Sequence, residues 1–379
     1  MIPRYPIDFS IKDFKRGIFA CFQDSSKFFS QEQIDWPVKG RSAIFTWDGR
    51  TALRLILRFL GLKPGEAVVV PRWTCSQVHH AIKAEEGNLV FADVRPGFFM
   101  PQADDYVKAA ADSNARFVIV ISAWGYPADV KQLKEKLPQH VKLIQDCALS
   151  AGSLICEKQD GFFSDMSFFS FGVEKPFCLG GGGAVTFSKE VFPEFSMEAK
   201  KILKRPTRGQ MLRLLTAVMI KKILWSSGVI YAAYRNIKTP HYSGSNIAFT
   251  DDLLGAPLWV YDRPFDLKEH FETLLFKRKK SLFLIKQALS LAKIKTLEEE
   301  NGLLWNGWMV PYMLPETECA EDWVKLIKRN GFEAKIPYED APSSSGLQFP
   351  RIFLGPSLEM MTDSDLSRFI ECLKQSGKN

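Results

Sequence analysis

Lys175 stands between an apolar run that ends at Ser170 and four consecutive glycines, Gly180 to Gly183, in the segment SFGVEKPFCLGGGG. Lysine is seldom fully buried, and a desolvated one gives up its charge readily. The neutral amine is then a nucleophile toward carbonyls. A lysine between a strand and a glycine turn therefore suits a Schiff base with an aldehyde. The alternative is a solvated surface lysine beside a loop, the commoner fate of the residue type. Asp146 and Ser170, counted with Lys175, weigh toward chemistry.

Asp146 ends the run Val-Lys-Leu-Ile-Gln-Asp. A carboxylate there can keep a pyridine nitrogen protonated through a charged hydrogen bond worth about 1.5–3 kcal/mol. Taken alone, it could equally cap a helix after a strand. Asp48-Gly49-Arg50 separates a strand-like run from a helix-like one. The free N–H groups and partial positive charge of a helix start favour phosphate. That signal is weak by itself; the Ser170 hydroxyl adds to it. An amine, an acid and an anion cradle are what pyridoxal phosphate (PLP) requires of a protein. The glycines after Lys175 read as a tight turn rather than a second phosphate site, because a strand follows them.

The elements that must position these groups can be read from the pattern. Ala43–Trp47 is strand-like, and Thr51–Leu60 is helical and stopped by Gly61. Apolar runs recur at Ala67–Val70, Asn88–Val94, Phe117–Trp124, Val141–Cys147, Met166–Phe171 and Ala184–Phe187, several separated by helix-length segments such as Cys75–Glu86 and Asp129–Leu137. Continuous apolar strands alternating with helices predict an α/β fold, a mostly parallel central sheet with helices on both faces. Pro71-Arg72-Trp73, Asp93, Trp124-Gly125, Asp146 and Ser170–Lys175 all fall just past strand ends, where open α/β sheets bind ligands. From about Asp251 the character turns α+β: helical 267–291, strand-like 308–314, helical 320–330, strand-like 349–354, and a last helix capped by Thr362. Two domains are expected, a large one over 1–245 and a smaller one over 246–379. Residues 1–40 read as irregular.

Composition narrows the function. Of 379 residues 46% are hydrophobic and 25% charged, ordinary for a globular chain long enough for a sizeable core. A net charge of +7 without a Lys/Arg tract gives no nucleic-acid footprint. The seven cysteines are scattered with no Cys-x-x-Cys pair, so neither a disulfide framework nor a metal site is expected, and a cytoplasmic location fits. No signal-peptide pattern is read at the N-terminus. Residues 190–245 look like an insertion: a basic stretch at 200–205, then an apolar one at 211–234 broken by Arg213, Lys221 and Lys222. The charges argue against a membrane span. Arg213 and Lys222 would lie on opposite sides of a helix, so no clean amphipathic face emerges. Core or subunit-interface helices are the first reading; a membrane-surface contact through 200–235 is the second.

The chain resembles the DegT/StrS-type family of PLP-dependent nucleotide-sugar aminotransferases, within fold type I. The resemblance rests on LGLKPGE at 60–66 with the strand to Pro71, FADV at 91–94, WGYPAD at 124–129, QDCA at 145–148, Gly161-x3-Asp165, Ser170-Phe171-x3-Lys175, the Gly180-x-Gly182-Gly183-Ala184 stretch and Thr362-x-x-Asp365-Leu. It implies that Lys175 is the internal-aldimine lysine and acid/base, and that Asp146 is the partner of the pyridine nitrogen. It implies phosphate positions at Gly49, Arg50 and Ser170. Asn246 would reach the phosphate of a neighbouring subunit, which implies a homodimer with shared sites. An amino donor (glutamate is the family's usual one) and a keto-sugar on a nucleotide would be the substrates, with a pyridoxamine phosphate intermediate, in polysaccharide or lipopolysaccharide biosynthesis. Several positions depart from the family pattern. Arg50 replaces a threonine, and Cys75 stands where an aromatic covers the cofactor ring, leaving Trp73 or Cys75 for that place. Leu149, Pro176 and Ala248 replace a Gln/His, an asparagine and an arginine. The alternatives are a non-catalytic PLP-fold binding module and a PLP-dependent sugar dehydratase; the latter carries histidine at the lysine position, against Lys175.

Overall fold

A computed structural model describes residues 7–23, 33–226, 252–262, 264–292, 294–297, 302–315, 318–337, 352–357 and 360–375. The elements, in order, begin with α1 (Ile11–Cys21), β1 (Gln33–Ile34), β2 (Ser42–Thr46), α2 (Gly49–Phe59), β3 (Ala67–Pro71), α3 (Ser76–Ala84) and β4 (Asn88–Ala92). There follow α4 (Ala103–Ser113), β5 (Phe117–Ile121), α5 (Val130–Lys136), β6 (Lys142–Asp146), β7 (Leu154–Ile155), β8 (Lys158–Gln159), β9 (Met166–Ser170) and β10 (Gly183–Phe187). The rest are α6 (Phe195–Ile202), α7 (Arg208–Ser226), α8 (Trp259–Asp262), α9 (Pro264–Ala292), β11 (Leu303–Leu304), β12 (Pro311–Met313), α10 (Ala320–Arg329), β13 (Ile352–Leu354) and α11 (Asp363–Gln375).

Eight strands form one sheet in the order β1-β2-β10-β9-β6-β5-β3-β4. It is parallel from β9 to β4, and β10, β2 and β1 extend it antiparallel. Alternate residues of each strand feed opposite faces. Val68 and Val70 of β3 pack with α2, α3 and α6, whereas Val69 packs with the side carrying α4 and α5. The mostly parallel α/β architecture expected from the sequence is the one found. Beyond the sheet, β12 and β13 form an antiparallel pair, and β11 pairs back onto β7. The expected boundary at 245–246 lies outside the described residues.

Two stretches differ from the sequence reading. Residues 11–21, read as irregular, form a helix. Ser10 and Asp13 make a capping box, Ser10 N–H donating to Asp13 Oδ2 at 2.7 Å and Asp13 N–H to Ser10 Oγ at 3.2 Å. That Ser-x-x-Asp signal was in the sequence, masked by the aromatic and polar residues around it. The apolar run after 211 forms α7, which packs on α1: Gly17 lacks the Cβ that would stand 2.4 Å from Leu215 Cδ1. As expected from the wheel, Arg213 faces outward, while the Lys222 amine turns in to the Ile7 carbonyl. No helix of the described residues is long and apolar enough to cross a membrane.

Helices α2 and α3 are locked by a buried ion pair. Arg54 Nε meets Glu85 Oε1 at 2.5 Å, and Arg58 Nε takes the second oxygen at 2.6 Å. Removing one partner of a buried pair leaves an uncompensated charge and costs about 3–5 kcal/mol. Arg54→Ala is accordingly expected to lower unfolding free energy in urea by that amount. A loss under about 1 kcal/mol, the range of a surface pair, would show that the pair does not hold the helices.

Candidate active site

The sheet brings the sequence-predicted groups together by register. Ser170, the last residue of β9, pairs with Gly183, which pairs with Thr46 at the end of β2. Two residues on, Asp48 caps α2. A Cβ on Gly183 would stand 2.5 Å from the Asp48 carbonyl carbon, and one on Gly49 would stand 3.1 Å from Ser170 Cβ. The first turn of α2 thus rests directly on the ends of β10 and β9, with the Ser170 hydroxyl beside it. Neighbouring β6 ends in Asp146. Gly49, Ser170 and Asp146 therefore share one end of the sheet, the ligand-binding end of open α/β folds.

Asp146 is buried, and its Oδ1 accepts the Ala148 N–H at 2.9 Å. Burial pushes its carboxyl up to about 6; the Ala148 hydrogen bond and the charge of Lys175 pull the other way. Lys175 is half-buried on the loop joining β9 to β10, its own N–H donating to the Gly172 carbonyl at 3.1 Å. The loop closes tightly: Leu179 and Gly181 N–H both donate to the Phe171 carbonyl, at 3.0 and 3.1 Å. Gly180, Gly181 and Gly182 have φ of +75°, +140° and +96°. A Cβ on them would press into Phe9, Leu214 of α7 and Val260 of α8, so the glycines make the packed turn expected of them.

Arg50, read as a phosphate residue, is held in the first turn of α2. Its Nε donates to Asp48 Oδ2 at 3.0 Å and its Nη1 to Gln77 Oε1 at 3.2 Å. Asp48 also accepts the Thr51 N–H at 2.8 Å and the Thr51 hydroxyl at 2.9 Å. Cys75 is exposed at the start of α3, two residues from Gln77. Trp73 is buried, donating from Nε1 to the Pro337 carbonyl at 3.2 Å and meeting Trp124 edge-on at 5.5 Å. Of the two candidates for the ring wall, Trp73 is thus tied into the core and Cys75 stands open. Asn246 and Ala248 lie outside the described residues.

Three residues that sequence reasoning passed over brace the site. Arg278 of α9 is buried, donates from Nη2 to the Pro176 carbonyl at 3.4 Å, and stacks on Trp308, 4.7 Å from Cζ to ring centroid. Asn306 is also buried; its Nδ2 donates to the carbonyls of Leu149 and Ala151, both at 2.9 Å, clamping the turn after Asp146. Asp160 is buried behind β6 and accepts from Gln145 Nε2 at 2.6 Å, while the same Nε2 lies 3.1 Å from Ser122 Oγ. Burial raises its carboxyl to about 6 against the hydrogen bonds it receives. Nothing local in the sequence marks these three, since the bracing bonds to Gln145, Pro176, Leu149 and Ala151 span 15 to 157 residues. Among the described residues no cluster of acids, histidines or cysteines could hold a metal ion, and all seven cysteines are free thiols.

Comparison with known proteins places this geometry. Residues 30–200 match the DegT/DnrJ/EryC1/StrS aminotransferase family, the family the sequence motifs resemble. GDP-perosamine synthase of Vibrio cholerae is 27% identical over 164 residues, 43% of this chain and 44% of that protein. The dTDP-3-amino-3,4,6-trideoxy-alpha-D-glucose transaminase of Streptomyces venezuelae is 33% identical over 140 residues, 36% of each chain. The matched stretch thus spans less than half the length of these curated relatives. The fold likeness is wider: the putative sugar aminotransferase Spr1654 from Streptococcus pneumoniae superposes with a TM-score of 0.73 at 16% identity, covering 100% of this chain and 99% of that one.

Because the Asp160 carboxyl ionises near 6 when folded instead of near its ordinary 3.8, its protonated form favours the fold. That contribution is full below pH 4 and is lost as pH rises to 6. The shift corresponds to about 3 kcal/mol. Asp160→Asn is expected to gain roughly that much stability relative to the wild-type, cofactor-free protein between pH 4 and pH 7 in urea titrations. A difference independent of pH would contradict a protonated Asp160.

Proposed function

We propose, for a chain that matches the DegT/DnrJ/EryC1/StrS aminotransferases over residues 30–200 and shares their fold, that it is a PLP-dependent aminotransferase. It moves an amino group from an amino acid, glutamate foremost, to a keto-sugar carried on a nucleotide. One observation carries the reading: the buried Asp146, which feels the charge of Lys175, shares its sheet end with Ser170 and the first turn of α2.

The residues fit the cofactor. Gly49 lets the backbone approach closely, and the α2 N-terminus with the Ser170 hydroxyl offers donors to a phosphate. Arg50 adds positive charge there, partly offset by Asp48. Asp146, reluctant to ionise alone, would regain its charge beside a protonated ring nitrogen and hold that proton in place. When bound, PLP supplies an aldehyde that takes the amine and a ring that accepts electrons from the substrate's α-carbon. Lys175 would hold the aldehyde at rest and, once displaced, carry the proton between substrate carbon and cofactor from its Nζ. Arg278 and the glycine turn keep the Lys175 loop from shifting during that transfer. Cys75, exposed at the start of α3, would make a smaller wall over the ring than an aromatic. The homodimer with Asn246 reaching a neighbour's phosphate belongs to this proposal. So does a cytoplasmic setting.

Incubated with PLP, glutamate and a panel of nucleotide-linked keto-sugars, the protein is expected to release 2-oxoglutarate and form an amino-sugar visible by mass. Lys175→Ala should slow this by about 10²–10⁴-fold, the usual worth of a positioned acid/base. Turnover that survives the substitution, or no 2-oxoglutarate from the wild type, contradicts the proposal.

A further inference from the structure

Helices α1 and α7 leave a face that the reaction does not use. They lie antiparallel: Ile7 at one end of α1 meets Lys222 near the end of α7, Gly17 meets Leu215, and Phe22 meets Arg208, whose Cζ is 5.9 Å from the ring centroid. Their inner sides bury Gly17, Ala20 and Cys21 against Met211, Leu215 and Val218. Their outer sides are unusually apolar for a surface. Phe19 is 68% exposed, Phe22 61% and Ile223 57%, with Ile11 and Ile220 exposed as well. Over about three turns, the outer face of α7 presents Arg213, Thr216, Ala217, Ile220 and Ile223. A helix with apolar residues on both its inner and outer sides normally has both sides covered.

The charges on this layer have one sign. Lys12, Lys15, Arg208 and Arg213 are exposed. The two helices contain one acid between them, Asp13, which is buried in the capping box. We propose that the α1–α7 layer docks on an anionic lipid bilayer, seating its phenylalanine and isoleucine side chains at the headgroup–acyl boundary while the cations meet lipid phosphates. Exposed lysine and arginine beside exposed phenylalanine and isoleucine, with no exposed acid on either helix, suit anionic headgroups lying over acyl chains. A second copy of this chain fits less well, because a twofold interface made of this patch would bury Lys12, Lys15 and Arg213 with no exposed acid of either helix to pair them. The sequence concealed the face because residues 11–21 read as irregular and α7 carries apolar residues on both its inner and outer sides; the face forms when the two helices pack. The ion pair between Glu174 and Lys221 ties α7 to the residue preceding Lys175, so the docked layer adjoins the active-site loop.

The test is flotation of the full PLP-loaded protein with vesicles of phosphatidylcholine, alone or mixed with phosphatidylglycerol. The wild type is expected to float with the mixed vesicles at low salt and to stay behind with phosphatidylcholine alone. Each cation near an anionic surface is worth about five-fold in binding, so Lys12→Glu with Lys15→Glu should weaken capture by well over ten-fold. Phe19→Ser with Phe22→Ser, on exposed positions, should weaken it with unchanged circular dichroism and turnover. Wild type left behind by both vesicles overturns the proposal. So does capture indifferent to lipid charge and to both variants, or a serine variant whose particle mass halves, which would mean a second copy covers the face.

Discussion

A carboxyl taken out of water at the end of a strand resists ionising, and a nearby cation is what restores its charge. Asp146 is in that position, and the nearby cation is Lys175. Two sets of contacts hold Asp146 where it is. The ladder from β5 through β6 to β9 fixes Asp146 beside Phe168. Asn306 holds the turn that follows it from the C-terminal side of the chain. The ordinary solution for a buried acid, a permanent salt bridge to an arginine as Glu85 has, is not made by Asp146 among the described residues. That leaves the acid responsive to whatever cation the site takes up, which is the property a cofactor partner needs.

The lysine is placed by a different device. No regular element carries it; it sits on a loop that hydrogen bonds to itself at Phe171 and is packed from three directions by Phe9, Leu214 and Val260. Glycine is required at 180–182 because φ is positive and because there is no room for a Cβ. Arg278 adds an anchor at Pro176. A loop built this way can carry an amine that moves at its tip while its base stays fixed.

Much of this could be read from the chain. The apolar runs gave the strands within a few residues, because strands buried on both faces are apolar throughout. Their ends located Asp146 and Ser170, and the motif around Lys175 carried the resemblance to the aminotransferase family that residues 30–200 match. What escaped was long-range or cooperative. Arg278, Asn306 and Asp160 act through partners distant in sequence, which no local pattern encodes. Trp73 and Cys75 stood two residues apart as equal candidates for the ring wall; only tertiary packing, with Trp73 bonded to Pro337, separates them. Helix α1 went unread although its capping box was present, since a short helix gains most of its stability from tertiary contacts, here α7.

The central claim is that the Lys175 amine and the Asp146 carboxyl form one cofactor pocket. Peptide mapping after borohydride reduction of the protein loaded with PLP tests it most directly. The account predicts a single modified peptide, with the phosphopyridoxyl mass on Lys175 and much less label when Asp146 is alanine. Label spread over surface lysines, or confined to another residue, would contradict it.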